Sequence, residues 1–397
     1  MLKYTDMPEI KNLKKTAKRI LKAINKKEKI VLYADADLDG TCSLIILEES
    51  IKNLGGKTAK IYFPNREMEG YGINEKALGV LKETAPALLI ALDCGIGNFK
   101  ETKLANKMGF EVIIIDHHEM LGKIPQASIV VDPKQKGDKY PFKEFSATGI
   151  IYKLSELLFK EKLSGFLKKS FLELTALATI SDMMPQIEEN KMFIIEGLFA
   201  LNETMRPGLK VFWEVDSFEK EIGQAKMIAY KIISAMNSAE TTEDHLTESY
   251  LLLKAPDEDT AKIIAEILIN KSKEKHLKIK DIVWEVQERI LKKISSPIVF
   301  EGNKEWPLIF TGPVASIICR DFQKPVFIFK KGEKESRGAA RTPKGLNSVD
   351  AMKSCAKLLE TFGGHPLASG FTVKNDNLEK FKQCLIDYFL SNKKENK

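Results

Sequence analysis

Residues 29–40 read KIVLYADADLDG. Lys29–Tyr33 is a short apolar, β-rich run. The chain leaves it through Asp35-Ala36-Asp37-Leu38-Asp39-Gly40 and enters Thr41–Leu54, a stretch with helical spacing that stops at Gly55-Gly56. The pattern recurs. Ala87–Leu92 (ALLIAL) runs into Asp93-Cys94-Gly95, and Glu111–Ile115 (EVIII) runs into Asp116-His117-His118. A further strand is expected at Lys60–Phe63, with helices near Asn74–Glu83 and Phe99–Lys107. Short buried strands alternating with helices predict βαβ units and a mainly parallel sheet. In such sheets ligands bind beyond the carboxyl ends of the strands, so the chemistry is expected on that edge.

Three strand candidates end in carboxylates or imidazoles, and a fourth site, Ile180-Ser181-Asp182, ends an apolar helix. A lone aspartate at a strand end often only caps the next helix, a reading that stays open for Asp39 beside Gly40. Several in register form a self-repelling cluster, for which divalent cations are the usual remedy. Oxygen and nitrogen ligands without thiolate suit manganese or magnesium better than structural zinc. Two look-alikes fail. Asp35-x-Asp37-x-Asp39-Gly40 opens like an EF-hand loop, but its twelfth position is Ile46 and a strand precedes it. Gly95-Ile96-Gly97 starts like a dinucleotide fingerprint, but Lys100 stands where the third glycine belongs.

From about Ser146 the chain reads as helical: Ser146–Phe159, Ser170–Ile180, Asn190–Asn202, Ile222–Met236, His245–Leu253 and Asp257–Val286, ending at a Ser295-Ser296-Pro297 break. A second α/β unit follows. It comprises Trp306–Phe310, a helix near Val314–Arg320, Pro325–Phe329, a basic strand or loop near Ser336–Arg341, a helix Ser348–Phe362, Gly363-Gly364-His365 and a strand Gly370–Val373. Ser391–Lys397 is expected to fray. The fold class is therefore α/β, with a mainly parallel-sheet domain over 1–185, a helical connecting region over 186–295 and a smaller α/β domain over 296–397.

The 397 residues, 44% hydrophobic and 29% charged, have the composition of a globular chain of two or three domains, which excludes a collagen-like or disordered protein. No apolar run approaches the roughly 18 residues of a membrane span, and the first twenty residues lack a leader-like apolar core, so a cytoplasmic, membrane-free protein is expected. A formal charge of +7 permits a nucleic-acid partner without demanding one. Five scattered cysteines, with no C-x-x-C pair, make a disulfide framework or a zinc ribbon unexpected.

The four motifs Asp35-x-Asp37-x-Asp39-Gly40, Asp93-Cys94-Gly95, Asp116-His117-His118 and Thr179-Ile180-Ser181-Asp182 resemble those of the DHH phosphoesterases. Pro64-Asn65-Arg66 with Glu69-Gly70-Tyr71-Gly72 is similar to the RecJ-like single-strand exonucleases. Gly338–Thr342 and Gly363-Gly364-His365-Pro366-Leu367-Ala368-Ser369-Gly370-Phe371 resemble the DHH-associated substrate domain. The resemblance implies two divalent ions, manganese before magnesium, held by Asp35, Asp37, Asp93, His117 and Asp182, with Asp93 bridging. It implies His118 at the scissile phosphate, and Asp39 and Asp116 as supports behind the ligands. Arg341, Gly363, Gly364 and His365 are implied as substrate contacts. The implied reaction is metal-dependent hydrolysis of single-stranded DNA or RNA, in repair, recombination or replication, alongside a replication or repair complex. Phe63 and Tyr71 are candidates to stack bases, although core or loop packing is the commoner use of such residues.

One departure stands out. Met236-Asn237-Ser238-Ala239-Glu240 occupies the place of the family's Asn-Ala-Ala-Gly-Arg, so an acid replaces an expected phosphate contact. The alternatives are a nanoRNase or cyclic-dinucleotide phosphodiesterase, a manganese pyrophosphatase, and a catalytically inactive replication scaffold.

Overall fold

Why these strands pair as they do follows from their alternation. In the computed structural model, which describes residues 8–120, 122–214, 222–291 and 296–395, the chain divides into two compact units with the boundary after Ser272. The first unit opens with α1 (Leu13–Asn25), β1 (Ile30–Ala34), α2 (Leu38–Asn53), β2 (Thr58–Tyr62), α3 (Glu75–Leu81), β3 (Ala87–Leu92), α4 (Phe99–Lys107), β4 (Phe110–Ile115) and β5 (Ile129–Val131). The five strands form one parallel sheet in the order β2-β1-β3-β4-β5. Ile30, Leu32, Leu88, Ile90, Ile113 and Ile115 enter one apolar core. Val31, Tyr33, Leu89, Ala91, Val112 and Ile114 enter the core on the opposite face. Burial on both faces is why these strands read as continuous apolar runs and not as alternating ones.

Helices α5 (Ala147–Phe159), α6 (Gly165–Ser181), α7 (Glu188–Asn202), α8 (Pro207–Glu214), α9 (Ile222–Met236), α10 (Glu248–Leu253) and the long α11 (Glu258–Leu291) follow. They correct the expected division. Residues 186–295 do not form a connecting body of their own, because Phe193, Leu201, Leu209, Ile228, Leu252, Ala261 and Leu268 share the larger core of the first unit. Beyond Ser272, α11 turns its apolar residues Ile279, Ile282, Val286 and Ile290 into the second unit.

The second unit is a mixed sheet, β6-β7-β8-β10-β9, built from β6 (Val299–Asn303), β7 (Val326–Lys331), β8 (Glu335–Arg341), β9 (Leu359–His365) and β10 (Ala368–Lys374). Helix α12 (Leu308–Phe322) packs on one face with Val314, Ala315 and Ile318, and α13 (Ser348–Ser354) and α14 (Leu378–Glu395) pack on the other. Several expectations change here. The first strand is Val299–Asn303, not Trp306–Phe310; Gly312-Pro313 reads as a break but lies inside α12. The expected helix Ser348–Phe362 ends at Ser354, and Leu359–His365 is a strand that contains Gly363 and Gly364. Gly364 has φ +124°, and a Cβ there would lie 2.6 Å from the Ala368 carbonyl oxygen, which only glycine allows. Helix α14 continues to Glu395 where fraying is expected. Cys355 and Cys384 form a disulfide that ties the end of α13 to α14, against the expectation of free thiols. Ser295, part of the expected break, lies outside the described residues. Among the described residues no helix is long and apolar enough to cross a membrane.

Candidate metal and phosphate site

The backbone ladder of the first sheet carries the acids to one edge. Beyond the strands proper, Asp35 N–H donates to the Leu92 carbonyl (3.2 Å), Asp93 N–H to Ile115 (2.9 Å) and Asp116 N–H to Val131 (3.0 Å). Asp35, Asp93 and Asp116 are therefore in register at the carboxyl ends of β1, β3 and β4. Asp93 takes a left-handed turn (φ +59°) directly after β3. Asp37 caps α2, its Oδ1 accepting from Gly40 N–H at 2.9 Å. Position 40 must be glycine because a Cβ would sit 2.2 Å from the Asp35 carbonyl oxygen.

Two donor clusters hold the expected ligands. Asp35, Asp37 and Asp93 each offer an oxygen within 4.8 Å of the others, and Asp39, His117 and Asp182 each offer one ligand atom at the same spacing, as do Asp93, Asp116 and His118. His117 Nε2 joins them, 3.1 Å from Asp93 Oδ1, 3.5 Å from Asp182 Oδ2 and 3.7 Å from Asp39 Oδ2. Asp182, which caps the end of α6, thus reaches the strand edge from a helix. Asp39 does other work as well. Both its oxygens accept backbone N–H groups at the start of α5, from Ala147 (2.7 Å) and Thr148 (2.9 Å). Asp116, within 4.8 Å of ligand atoms of Asp93 and His118, is instead surrounded by donors. It accepts from Ile96, His117 and His118 N–H groups and holds His118 Nδ1 at 2.8 Å.

The charges record the crowding. Burial, followed by the negative charges of Asp39, Asp37, Asp35 and Asp182, pushes Asp93 well above the usual carboxylate range. Burial and the charges of Asp39 and Asp37 raise Asp182 likewise. Burial, with Asp37 beside it, lifts Asp39 to about 6. Asp116 is different. Burial would raise it, but the His118 charge and hydrogen bond outweigh that and hold it below the normal range. In turn burial would lower His118, but Asp116 lifts it to about 9. Among the described residues, nothing donates a hydrogen bond to the buried oxygens Asp93 Oδ1 and Asp182 Oδ2. Buried carboxylate oxygens facing one another without donors are the arrangement a cation resolves, so the residues fit divalent ions.

Several neighbours take parts that the sequence reading does not assign to them. Arg66 Nε donates to Asp35 Oδ1 at 2.8 Å, and its Nη2 reaches Asp35 Oδ2 and, at 2.8 Å, Asp37 Oδ2. The Tyr71 hydroxyl donates to the Asp93 carbonyl (3.0 Å) and lies 3.1 Å from His118 Nδ1. Asp132 ends β5 as Asp116 ends β4; burial and the Asp116 charge raise it to about 7. The run Ile129-Val130-Val131 before it is too short to be read as a strand from the sequence. Phe63 is fully buried, 5.8 Å from the Tyr250 ring, and cannot stack a base. His245 stacks on Tyr62 at 4.2 Å. Glu240 pairs with Lys271 (2.6 Å), which also binds Glu248.

In the second unit, the register places Arg341 opposite Ala368 and Ala368 opposite His365. Directly opposed residues point to the same face, so these three form a row across β8, β10 and β9. Gly370 and Gly363 form the next row on that face with Ala339. Gly364 points the other way, toward the Ser369 side of the sheet. The guanidinium of Arg341 donates to Ser316 Oγ and to the Ala340 carbonyl.

Comparison with known proteins agrees with this architecture. The DHH family N-terminal domain matches residues 29–179 and the DHHA1 domain matches 296–391. The single-stranded-DNA-specific exonuclease RecJ of Bacillus subtilis (strain 168) is 32% identical over 388 residues, 96% of this chain and 48% of that protein. The chain thus spans about half the length of that curated relative. A crystal structure of exonuclease RecJ bound to manganese superposes with TM-score 0.74 at 24% identity, covering 96% of this chain and 95% of that one. RecJ from Thermus thermophilus in complex with Mn2+ superposes with TM-score 0.80 at 22% identity, covering 97% and 55%. These two structures share the fold.

Proposed function

The chain belongs to the DHH family, in its RecJ-like branch, and from that premise we propose that it hydrolyses phosphodiester bonds of single-stranded nucleic acid as a metal-dependent exonuclease, DNA before RNA. The observation that carries the reading is the meeting of Asp35, Asp37, Asp93, His117 and Asp182 at one sheet edge, with Asp93 Oδ1 and Asp182 Oδ2 buried and without a hydrogen-bond donor among the described residues. The relatives' structures hold manganese or magnesium, and we assign two divalent ions, manganese first, to these five residues. When bound, such ions neutralise phosphate oxygens and activate water near neutral pH.

The side chains supply the rest. Asp93, which links the two clusters through the 3.1 Å approach of His117 Nε2, would help hold both ions. Asp39 fixes the start of α5 against α2 and so sets the spacing of the acids. Asp116 holds the His118 imidazole in its charged form, as an oriented donor for a phosphate oxygen. Arg341, Gly363, Gly364 and His365 are the proposed substrate contacts in the second unit. A guanidinium fork matches phosphate, glycines let backbone approach an anion, and the imidazole adds a donor. Work within a replication or repair complex and in the cytoplasm is part of the same proposal.

The test is manganese-dependent digestion of single-stranded 30-mers of DNA and RNA, labelled at either end, with a dinucleotide alongside. Stepwise shortening of the 30-mer, lost in a folded Asp93→Ala variant, is expected. Cleavage of the dinucleotide alone would move the chain to the nanoRNase class. Manganese binding with no cleavage at all would favour a scaffold.

A further inference from the structure

The sequence contains seven arginines. Six of them pair with carboxylates: Arg19 with Glu28 and Glu111, Arg66 with Asp35 and Asp37, Arg206 with Glu49 and Glu173, Arg289 with Glu285 and Glu301, Arg320 with Asp321, and Arg337 with Glu335. Arg341 stands apart. It is partly buried, and among the described residues no carboxylate comes within ion-pair distance of it. A guanidinium withdrawn from water without an acid is costly unless an anion from outside completes it.

What holds Arg341 in place is neutral. Its Nε donates to Ser316 Oγ at 3.0 Å, and its Nη1 donates to the Ala340 carbonyl at 2.9 Å. The Ser316 hydroxyl in turn donates to the Gly312 carbonyl, one turn back along α12, at 3.0 Å. The Ser316 proton is thereby committed to the helix, which leaves its oxygen as a fixed acceptor for Arg341. Gly312 also leaves the space that the fork fills: a Cβ there would stand 3.2 Å from Arg341 Nη2 and 3.9 Å from Cζ. Nε and Nη1 are anchored, and Nη2 with the second Nη1 proton remains for an outside acceptor.

We propose that Ser316 and Gly312 of α12 are positioning residues that set the Arg341 guanidinium for one phosphate of a single-stranded substrate. Neither touches the substrate; they act through Arg341. The proposal rests on the reading of Arg341 as a phosphate contact. Pairing the arginine with serine, and not with a carboxylate, leaves its full positive charge to the ligand while removing its rotational freedom. An acid at 316 would hold the fork equally well but would cancel the charge.

The experiment uses the full chain. Binding of a fluorescein-labelled oligothymidine 12-mer is followed by anisotropy without metal, and KM and kcat are followed with manganese. Ser316→Ala is expected to raise Kd and KM about 3–10-fold, the worth of one oriented hydrogen bond, with kcat within twofold. Ser316→Thr, which keeps the hydroxyl, should bind like the parent. Gly312→Ala should weaken binding similarly while melting no earlier than the parent, because alanine favours the helix. In an Arg341→Gln background, Ser316→Ala should change nothing further. If Arg341→Gln weakens binding but Ser316→Ala and Gly312→Ala do not, or if the Ser316 and Arg341 effects add, the positioning role is wrong and the phosphate contact stands. If Arg341→Gln itself binds like the parent, the contact fails and the positioning role with it.

Discussion

Replacing Arg66 by glutamine tests the acidic cluster without any assay of cleavage. The guanidinium spans Asp35 and Asp37, and the Asp35 side chain is only 1% exposed, whereas that of Arg66 is 42% exposed. Removing one partner of a fully buried pair costs about 3–5 kcal/mol, and water reaching Arg66 reduces this to about 2–3 kcal/mol. The loss has a ceiling, because Asp35 can take up a proton instead. Each pH unit above the ordinary carboxylate value of about 3.9 makes that protonation dearer by about 1.4 kcal/mol. At pH 8 the ceiling lies near 5–6 kcal/mol and does not limit the loss, while at pH 5 it falls to about 1.5 kcal/mol. The direction agrees with the folded protein. Burial already raises Asp35 despite Arg66, so whatever stability it contributes is greatest below its ordinary value and declines as pH rises. Arg66→Gln should steepen that decline.

Urea unfolding of the metal-free chain should therefore show a deficit of about 2–3 kcal/mol at pH 8 and no more than about 1.5 kcal/mol at pH 5. Saturating manganese at pH 8 should shrink the deficit, because bound ions supply the counter-charge that the guanidinium otherwise provides. Equal stabilities at pH 8 would show that Arg66 does not balance the cluster. A deficit unchanged by manganese would show that the carboxylates beneath Arg66 are not where the ions bind.

Three further outcomes are expected. Asp93→Ala should abolish manganese-dependent cleavage and lower the number of bound manganese ions measured by calorimetry, with the circular dichroism spectrum retained; full metal stoichiometry would contradict the shared-ligand assignment. Asp132 titrates near 7 in the folded chain against an ordinary value near 3.9, so the stability tied to its proton is complete below about pH 4 and gone above about pH 7. Asp132→Asn should then stabilise the chain at pH 8 by about 1–3 kcal/mol, a gain near 4 kcal/mol less the cost of a poorly paired amide, and leave it unchanged or weaker at pH 4; the reverse order in urea titrations would refute this. The Cys355–Cys384 bond closes a loop with a sequence separation of 29, worth about 3–4 kcal/mol by loop entropy. Reduction, or Cys384→Ser, should lower the melting temperature, and thiol titration of the native chain should find the three remaining cysteines only after denaturation, since Cys42, Cys94 and Cys319 are buried.

The acidic edge is legible in the sequence because it follows from topology alone. Once KIVLYA, ALLIAL and EVIII are strands of one parallel sheet, Asp35, Asp93 and Asp116 must share an edge, whatever the side-chain packing. Asp132 escapes such a reading because β5 has only three residues, below the length at which an apolar run is read as a strand. The partners of Arg66 depend on how the 64–74 loop folds back over β1, a fact of tertiary structure. Asp39 is not the cap that its place beside Gly40 suggests. Asp37 caps α2, and Asp39, in the first turn of that helix, satisfies the start of α5, more than a hundred residues away.

The second unit is harder to read for a definable reason. Met352, Cys355, Leu358, Leu359 and Phe362 recur at helical spacing, and the local signal therefore extends α13 through to the glycines. The chain instead turns at Ala356–Leu358 and pairs Leu359–His365 with β10, where Gly363 meets Gly370 and Gly364 meets Ser369. Sheet pairing overrides the helical period because α14 already occupies the space that a longer α13 would need: Phe381, Leu385 and Phe389 fill the core against Met352 and Cys355. The functional reading changes with it. Gly363 and His365 belong to rows set by β10 against Arg341, so their spacing from the arginine is fixed by sheet geometry, roughly 5 Å per strand. A phosphate contact built this way is rigid on both sides. Substitutions that disturb this ladder, such as Gly338→Val, whose Cβ would stand 2.2 Å from the Ile328 carbonyl oxygen, should therefore disrupt the row of Arg341, Ala368 and His365. The labelled 12-mer should then bind Gly338→Val at least as weakly as Arg341→Gln, and parental binding would refute the shared row.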